Sequence, residues 1–155
     1  MGQVIKFPSR EERAARTAAD RTSRKLTILL AEDHSSLRDI VSVYLMRQGY
    51  HVRTAGSGPG ALEVLEAEEV DLVLLDLMLP GIDGFEVLRR LREKSTSTLP
   101  YVVVVSALTT EPDRKKAEEL GCNDYLPKPF HLPHLLERIV AIEKRLRQEE
   151  HRQKN

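Results

Sequence analysis

In this 155-residue sequence the side chains equipped for chemistry stand at the ends of short apolar runs. Glu32 and Asp33 follow Leu26–Ala31, and Asp76 follows Leu72–Leu75. Ser106 follows Tyr101–Val105, and Lys128 follows Asp124–Pro127. Carboxylates brought together in one crevice repel unless something neutralises them. A hard divalent cation such as Mg²⁺ does so, and it keeps coordination positions open for water and phosphate oxygens. A lysine and a hydroxyl across the same space complete a set suited to phosphoryl transfer, where catalysis is positioning plus charge neutralisation. If the group passes to the protein, one carboxylate is the nucleophile. Asp76 is the candidate, because it lies between the acidic pair and the Ser106/Lys128 side.

The elements that must hold these residues alternate along the chain. Leu26–Ala31 reads as a strand. Leu37, Ile40, Val41, Tyr44 and Leu45 then recur at helical spacing until Gly49. Tyr50–Ala55 alternates as a more exposed strand, ending in Gly56-Ser57-Gly58, which offers no chemistry. A helix from near Ser57 turns Leu62 and Leu65 inward, and Pro59 is tolerated in its first turn. Leu72–Leu75 is a strand, and Phe85, Leu88 and Leu91 mark a helix from about Phe85 to Lys94. The four valines at 102–105 suit a strand buried on both faces. Glu111–Leu120 is a weakly amphipathic helix stopped by Gly121. Asp124–Pro127 is a last strand, and Leu135, Leu136, Ile139, Val140 and Ile142 mark a last helix. Strand–helix alternation with apolar strands predicts an α/β, doubly wound parallel sheet covered on both sides, with function in the crevice at the strands' carboxyl ends.

Composition narrows the class. Twenty-four basic residues balance twenty-four acidic ones. The zero conceals a split: residues 1–25 hold seven basic against three acidic, and residues 145–155 four against two. Residues 26–144 hold thirteen basic against nineteen acidic, a net of −6. The sequence thus divides into a basic and flexible arm at 1–25, an acidic domain at 26–144 and a charged tail at 145–155, where apolar spacing ends after Leu146. The single cysteine, Cys122, forms no internal disulfide and no thiolate zinc site. It reads as a small packed residue in a reducing, cytoplasmic setting. No apolar run approaches the ~20 residues needed to span a bilayer. Neither a membrane nor nucleic acid is an expected partner.

Four motifs in order carry a family resemblance: Glu32-Asp33, the stretch from Asp76 to Glu86, Ser106-Ala107, and Tyr125-Leu-Pro-Lys128-Pro-Phe130. They resemble the receiver domain of bacterial two-component response regulators (CheY-like), over about 26–144. The resemblance implies a (βα)5 flavodoxin-like sandwich with strand order 2-1-3-4-5. It implies that Asp76 takes a phosphoryl group from a phosphohistidine on a sensor histidine kinase or histidine phosphotransferase. Asp33, Asp76 and the backbone carbonyl of Met78 would bind Mg²⁺, with Glu32 acting through a metal-bound water. Lys128, Ser106 and the backbone N–H of Ala107 would meet phosphoryl oxygens. Ser106 and Tyr125 would form a switch: Ser106 moves to the phosphoryl group, Tyr125 turns inward, and the helix 4–strand 5–helix 5 face changes for a downstream protein target. The peptide bond between Lys128 and Pro129 would be cis.

Departures from the family pattern are modest. Glu32 stands where many members have aspartate, which keeps the charge and adds a methylene. His131 stands where an aspartate often caps the last helix. His34, beside the acidic pair, reads as the exposed start of the first helix rather than a metal ligand. The expectation is a stand-alone phosphorelay receiver, a switch rather than an enzyme, since the arms are too short for an output domain. Two alternatives remain: a receiver-fold binding module that is not phosphorylated, and a fragment of a larger regulator. A phosphohydrolase of the haloacid-dehalogenase type would need an aspartate two residues after the nucleophile, where this sequence has Met78.

Overall fold

The structure, a computed structural model, describes residues 25–94 and 100–153. The expected arm, apart from Lys25, lies outside the described residues. So does the end of the expected tail. Strands β1 (Thr27–Ala31), β2 (His51–Ala55), β3 (Leu72–Leu75), β4 (Tyr101–Ser106) and β5 (Asp124–Pro127) form one parallel sheet. Its order is β2-β1-β3-β4-β5, as expected. Helices α1 (Ser35–Arg47), α2 (Gly58–Ala67), α3 (Gly84–Glu93), α4 (Glu111–Glu119) and α5 (Leu132–Gln153) make the crossovers and close the chain.

Side-chain alternation along the strands builds two cores. Ile28 and Leu30 of β1 join Leu74, Val103, Val105, Leu135 and Ile139 on the face covered by α1 and α5. Leu29 and Ala31 join Leu75, Val87, Leu88 and Val102 on the face covered by α2 and α3. This explains the valine run: its odd and even members serve opposite faces. Each fully buried leucine, isoleucine or valine contributes roughly 1.5–3 kcal/mol, so the doubly buried central strands make a firm platform.

The helix ends follow local chemistry. The Ser57 hydroxyl, the Asp83 carboxylate and the Thr110 hydroxyl accept from Gly60 N–H, Glu86 N–H and Asp113 N–H at 3.1, 2.9 and 3.3 Å, caps worth about 1 kcal/mol each. Gly49 and Gly121, at φ of 95° and 102°, take the left-handed conformation that stops α1 and α4.

Two expectations need correction. Ile40 does not face the core; it is 56% exposed, as are Val43 at 42% and Met46 at 47%. At 100° per residue, Leu37, Val41 and Leu45 already fill the arc toward the sheet, and Ile40 points well to one side of it. The last helix also continues past Leu146 to Gln153. Glu, Arg and Gln are good helix formers without any apolar contact, and Arg147 pairs with Glu143 one turn back.

Candidate functional site

The backbone ladder continues beyond the strands and carries the site residues with it. The N–H of Glu32 donates to Ala55 O at 2.9 Å, that of Asp76 to Ala31 O at 3.1 Å, and that of Lys128 to Ser106 O at 2.9 Å. Glu32, Asp76, Ser106 and Lys128 are thereby fixed at neighbouring strand ends.

The turn after Asp76 is held by two glycines. A Cβ on Gly84 would lie 2.2 Å from Asp76 O and 2.6 Å from Leu77 Cα, so only glycine lets α3 begin this close to the end of β3. A Cβ on Gly58, at the start of α2, would lie 1.8 Å from Ile82 O. Because these obstacles are backbone atoms, no rotamer change relieves them.

The three carboxylates converge as expected. Glu32, Asp33 and Asp76 each place one oxygen within 4.8 Å of the others. Glu32 is 3% and Asp76 5% exposed, whereas Asp33 faces solvent. Lys128 Nζ donates to Asp76 Oδ2 at 2.7 Å and also to Glu32 Oε1. The second oxygen of Asp76 accepts from Met78 N–H at 3.0 Å, and that of Glu32 from His34 N–H at 3.1 Å. Burial pulls the Lys128 pKa down, but its hydrogen bonds to Asp76 and Glu32 outweigh this and hold it above 10.5.

The fit to a metal ion follows from charge and donor type. Three carboxylates share one directly paired ammonium, leaving an excess of negative charge in a largely buried space. The donors are all oxygens, which suits a hard cation of the Mg²⁺ class rather than zinc. Glu32 and Asp76 each have both oxygens engaged, one by Lys128 and one by a backbone N–H, whereas Asp33 stands on the solvent side of the cluster. The Met78 side chain is 57% exposed on the adjoining turn. His34 is exposed at the start of α1 and meets the site through its backbone only.

On the far side, Ser106 is fully buried, and its hydroxyl accepts from Leu108 N–H at 3.2 Å. Ala107 is exposed at the mouth of the site. Tyr125 is 4% exposed and packs with Leu77, Val104 and Ala117, and its hydroxyl donates to Leu108 O. Tyr125 thus stands inward already, because ring packing and the Leu108 carbonyl satisfy it without a phosphoryl group. Burial, chiefly, raises its pKa. The Lys128–Pro129 peptide is cis, as expected.

Residues 28–140 match the family described as the response regulator receiver domain. The chain belongs to that family. This receiver is 42% identical over 120 residues to the transcriptional activator protein PfeR of Pseudomonas aeruginosa, covering 77% of this chain and 38% of PfeR. It is 40% identical over 119 residues to the sensory transduction protein RegX3 of Mycolicibacterium smegmatis, covering 77% of this chain and 51% of RegX3. The receiver therefore spans about two-fifths to one-half the length of these curated relatives. Among solved structures it resembles the receiver domain of the Pseudomonas aeruginosa sensor histidine kinase PA1611, which holds a magnesium ion in its active-site cleft. That likeness has a TM-score of 0.68 and 29% identity, and it covers 74% of this chain and 94% of the other.

Two contributors to the site were not singled out from the sequence. Arg38, one turn into α1, donates to the backbone carbonyls of Glu32 at 2.8 Å and Asp33 at 3.4 Å. A Cβ on Gly56 would lie 2.8 Å from its guanidinium. An arginine bonded to carbonyls leaves no sequence signature. Gly84 had a signal, since an Asp-Gly pair opening a helix marks both a cap and a close approach. Cys122 packs as expected, and burial pushes its thiol up to about 11, which makes it a poor nucleophile. Among the described residues no helix is long and apolar enough to cross a membrane.

Proposed function

We propose that this receiver accepts a phosphoryl group on Asp76 from a phosphohistidine and passes the event to a protein partner. The juxtaposition of Asp76 with Lys128 at 2.7 Å, inside the acidic cluster, carries the reading. In the transfer, a carboxylate oxygen of Asp76 bonds to phosphorus, the N–P bond breaks, and the imidazole leaves with its electron pair. Mg²⁺, when held by Asp33, Asp76 and the Met78 carbonyl, would supply Lewis-acid charge to the phosphoryl oxygens. Glu32 contributes charge and holds Lys128 in place. The Lys128 ammonium balances the charge that moves onto the phosphoryl oxygens, and the Ala107 N–H and Ser106 hydroxyl donate to two of them.

The switch reading rests on Leu108. Ser106 accepts from its N–H while Tyr125 donates to its carbonyl, so one residue joins both switch members. When the Ser106 hydroxyl turns toward a phosphoryl group, it releases the Leu108 N–H. The loop before α4 then has a new arrangement to adopt, and the α4–β5–α5 face changes with it. A donor protein meets a different surface: Ile40, Val43 and Met46 are exposed along α1, which begins beside Asp33.

Beryllofluoride with Mg²⁺, a mimic of the aspartyl phosphate, tests this reading by amide NMR. Large shifts are expected at Ser106, Ala107, Leu108 and Lys128. An unchanged spectrum would overturn it in favour of a binding module that is not phosphorylated.

A further inference from the structure

The three carboxylates of the acidic cluster are not held alike. Glu32 and Asp76 are buried, and each has one oxygen on Lys128 and the other on a backbone N–H. Asp33 lies on the solvent side, and among the described residues its carboxylate accepts no hydrogen bond. Yet one of its oxygens stands within 4.8 Å of the other two groups. Its backbone must therefore aim it.

One side chain holds that backbone on both sides. Arg38 Nη1 donates to the carbonyl of Glu32 at 2.8 Å and, more weakly, to that of Asp33 at 3.4 Å. The first carbonyl belongs to the peptide entering Asp33, the second to the peptide leaving it. Because peptides are planar, holding both of them sets the direction in which the Asp33 side chain departs.

Arg38 is otherwise in an unfavourable place. It is half-buried in the first turn of α1, at the positive end of the helix dipole, where a cation is disfavoured. Among the described residues it forms no ion pair that would offset this. Space for it comes from the loop after β2. A Cβ on Gly56 would lie 2.8 Å from Arg38 Nη1 and 3.5 Å from Cζ. Gly56 brings no chemistry of its own; it leaves room for the guanidinium.

We propose that Arg38 is a positioning residue for Mg²⁺: seated against Gly56, it pins the Glu32–Asp33 backbone so that Asp33 is presented to the ion. This rests on the reading of Glu32, Asp33 and Asp76 as the Mg²⁺ site. Arg38 acts through the backbone, and its own charge opposes that of the ion. Charge and positioning therefore have opposite signs when the guanidinium is removed.

Calorimetric titration of the full chain with Mg²⁺ tests this. Arg38→Met removes the cation and its donors but keeps an apolar stem. Loss of repulsion alone would tighten binding. Loss of positioning should weaken it about tenfold, the scale expected for a partner that orients a metal ligand. Gly56→Ala keeps the charge and places a methyl where the guanidinium lies. The obstacle is the free end of a flexible side chain, so the urea midpoint of the metal-free chain should hold while Mg²⁺ affinity falls several-fold. Added to Arg38→Met, Gly56→Ala should change the affinity no further, since the two act through one contact. Unchanged or tighter binding in Arg38→Met would overturn the proposal. So would an equal effect of Gly56→Ala with and without the arginine. Should Arg38→Met not fold, Gly56→Ala decides alone: wild-type affinity there would contradict the proposal. A wild-type chain that binds no Mg²⁺ would overturn the metal site itself, and the role of Arg38 with it.

Discussion

The ammonium of Lys128 stands 2.7 Å from Asp76 Oδ2 while also bonded to Glu32, so one cation bridges the proposed phosphoacceptor and the buried member of the acidic pair. Removing it affects rate and stability separately. Lys128→Met is expected to slow phosphoryl-adduct formation roughly 10²-fold, the usual cost of losing one fixed charge donor to the transferring group. In the absence of Mg²⁺ it should also cost about 2–3 kcal/mol. That is less than the ~3–5 kcal/mol of a broken, fully buried pair, because the Lys128 side chain keeps 19% exposure. Saturating Mg²⁺ should recover part of the stability loss but not the rate. Urea melts with and without the ion, beside single-turnover phosphorylation, separate the effects.

The same bridge sets a pH dependence. Lys128 is held above 10.5 in the folded chain, so the fold favours its protonated form. The stabilisation it gives is complete below 10.5, its ordinary value, and is lost as pH climbs through the raised one. The stability difference between wild type and Lys128→Met should stay flat through neutral pH and shrink only in the alkaline limb. A difference that instead vanished on acidification toward neutrality would place the stabilisation on another group.

Tyr125 divides packing from switching. Tyr125→Phe keeps the ring but leaves the Leu108 carbonyl without its donor, a loss of about 1–2 kcal/mol. Tyr125→Ala should cost about 3–5 kcal/mol through the cavity it opens among Leu77, Val104 and Ala117. Phosphoryl-adduct formation should survive Tyr125→Phe at near wild-type rate, since the hydroxyl does not reach Asp76, while response of the α4–β5–α5 face weakens. Loss of adduct formation itself in Tyr125→Phe would remove the switch assignment.

Gly84 offers a test of geometry without any change of charge. A methyl there meets the Asp76 and Leu77 backbone at 2.2 and 2.6 Å. Gly84→Ala must therefore displace either the start of α3 or the end of β3. The expected cost is about 1–3 kcal/mol from overpacking, with weaker Mg²⁺ binding by calorimetry because Asp76 moves. Unchanged stability and Mg²⁺ affinity would show that the turn adapts and does not set the position of Asp76.

The strand-end residues were legible because a doubly buried strand writes itself as an apolar run, and the residue at the end of such a run sits at the sheet's rim. Glu32, Asp33, Asp76, Ser106 and Lys128 could thus be placed from pattern alone. Ile40 could not, since helical spacing admits it to the stripe while only packing decides how wide an arc the sheet covers. Arg38 escaped because its partners are carbonyls, which every residue has. The inward Tyr125 rotamer escaped because its partner, the Leu108 carbonyl, is brought near only by folding. The projecting end of α5 escaped because helix propensity without apolar spacing reads like a frayed tail.

The most direct test of the central claim is intact-mass measurement of the full chain after incubation with acetyl phosphate. With Mg²⁺ present, a single labile, hydroxylamine-sensitive phosphoryl adduct is expected. It should be absent after chelation and absent in Asp76→Asn. An adduct that persists in Asp76→Asn, or that forms equally well without the metal, would contradict the assignment of Asp76 as the Mg²⁺-dependent phosphoacceptor.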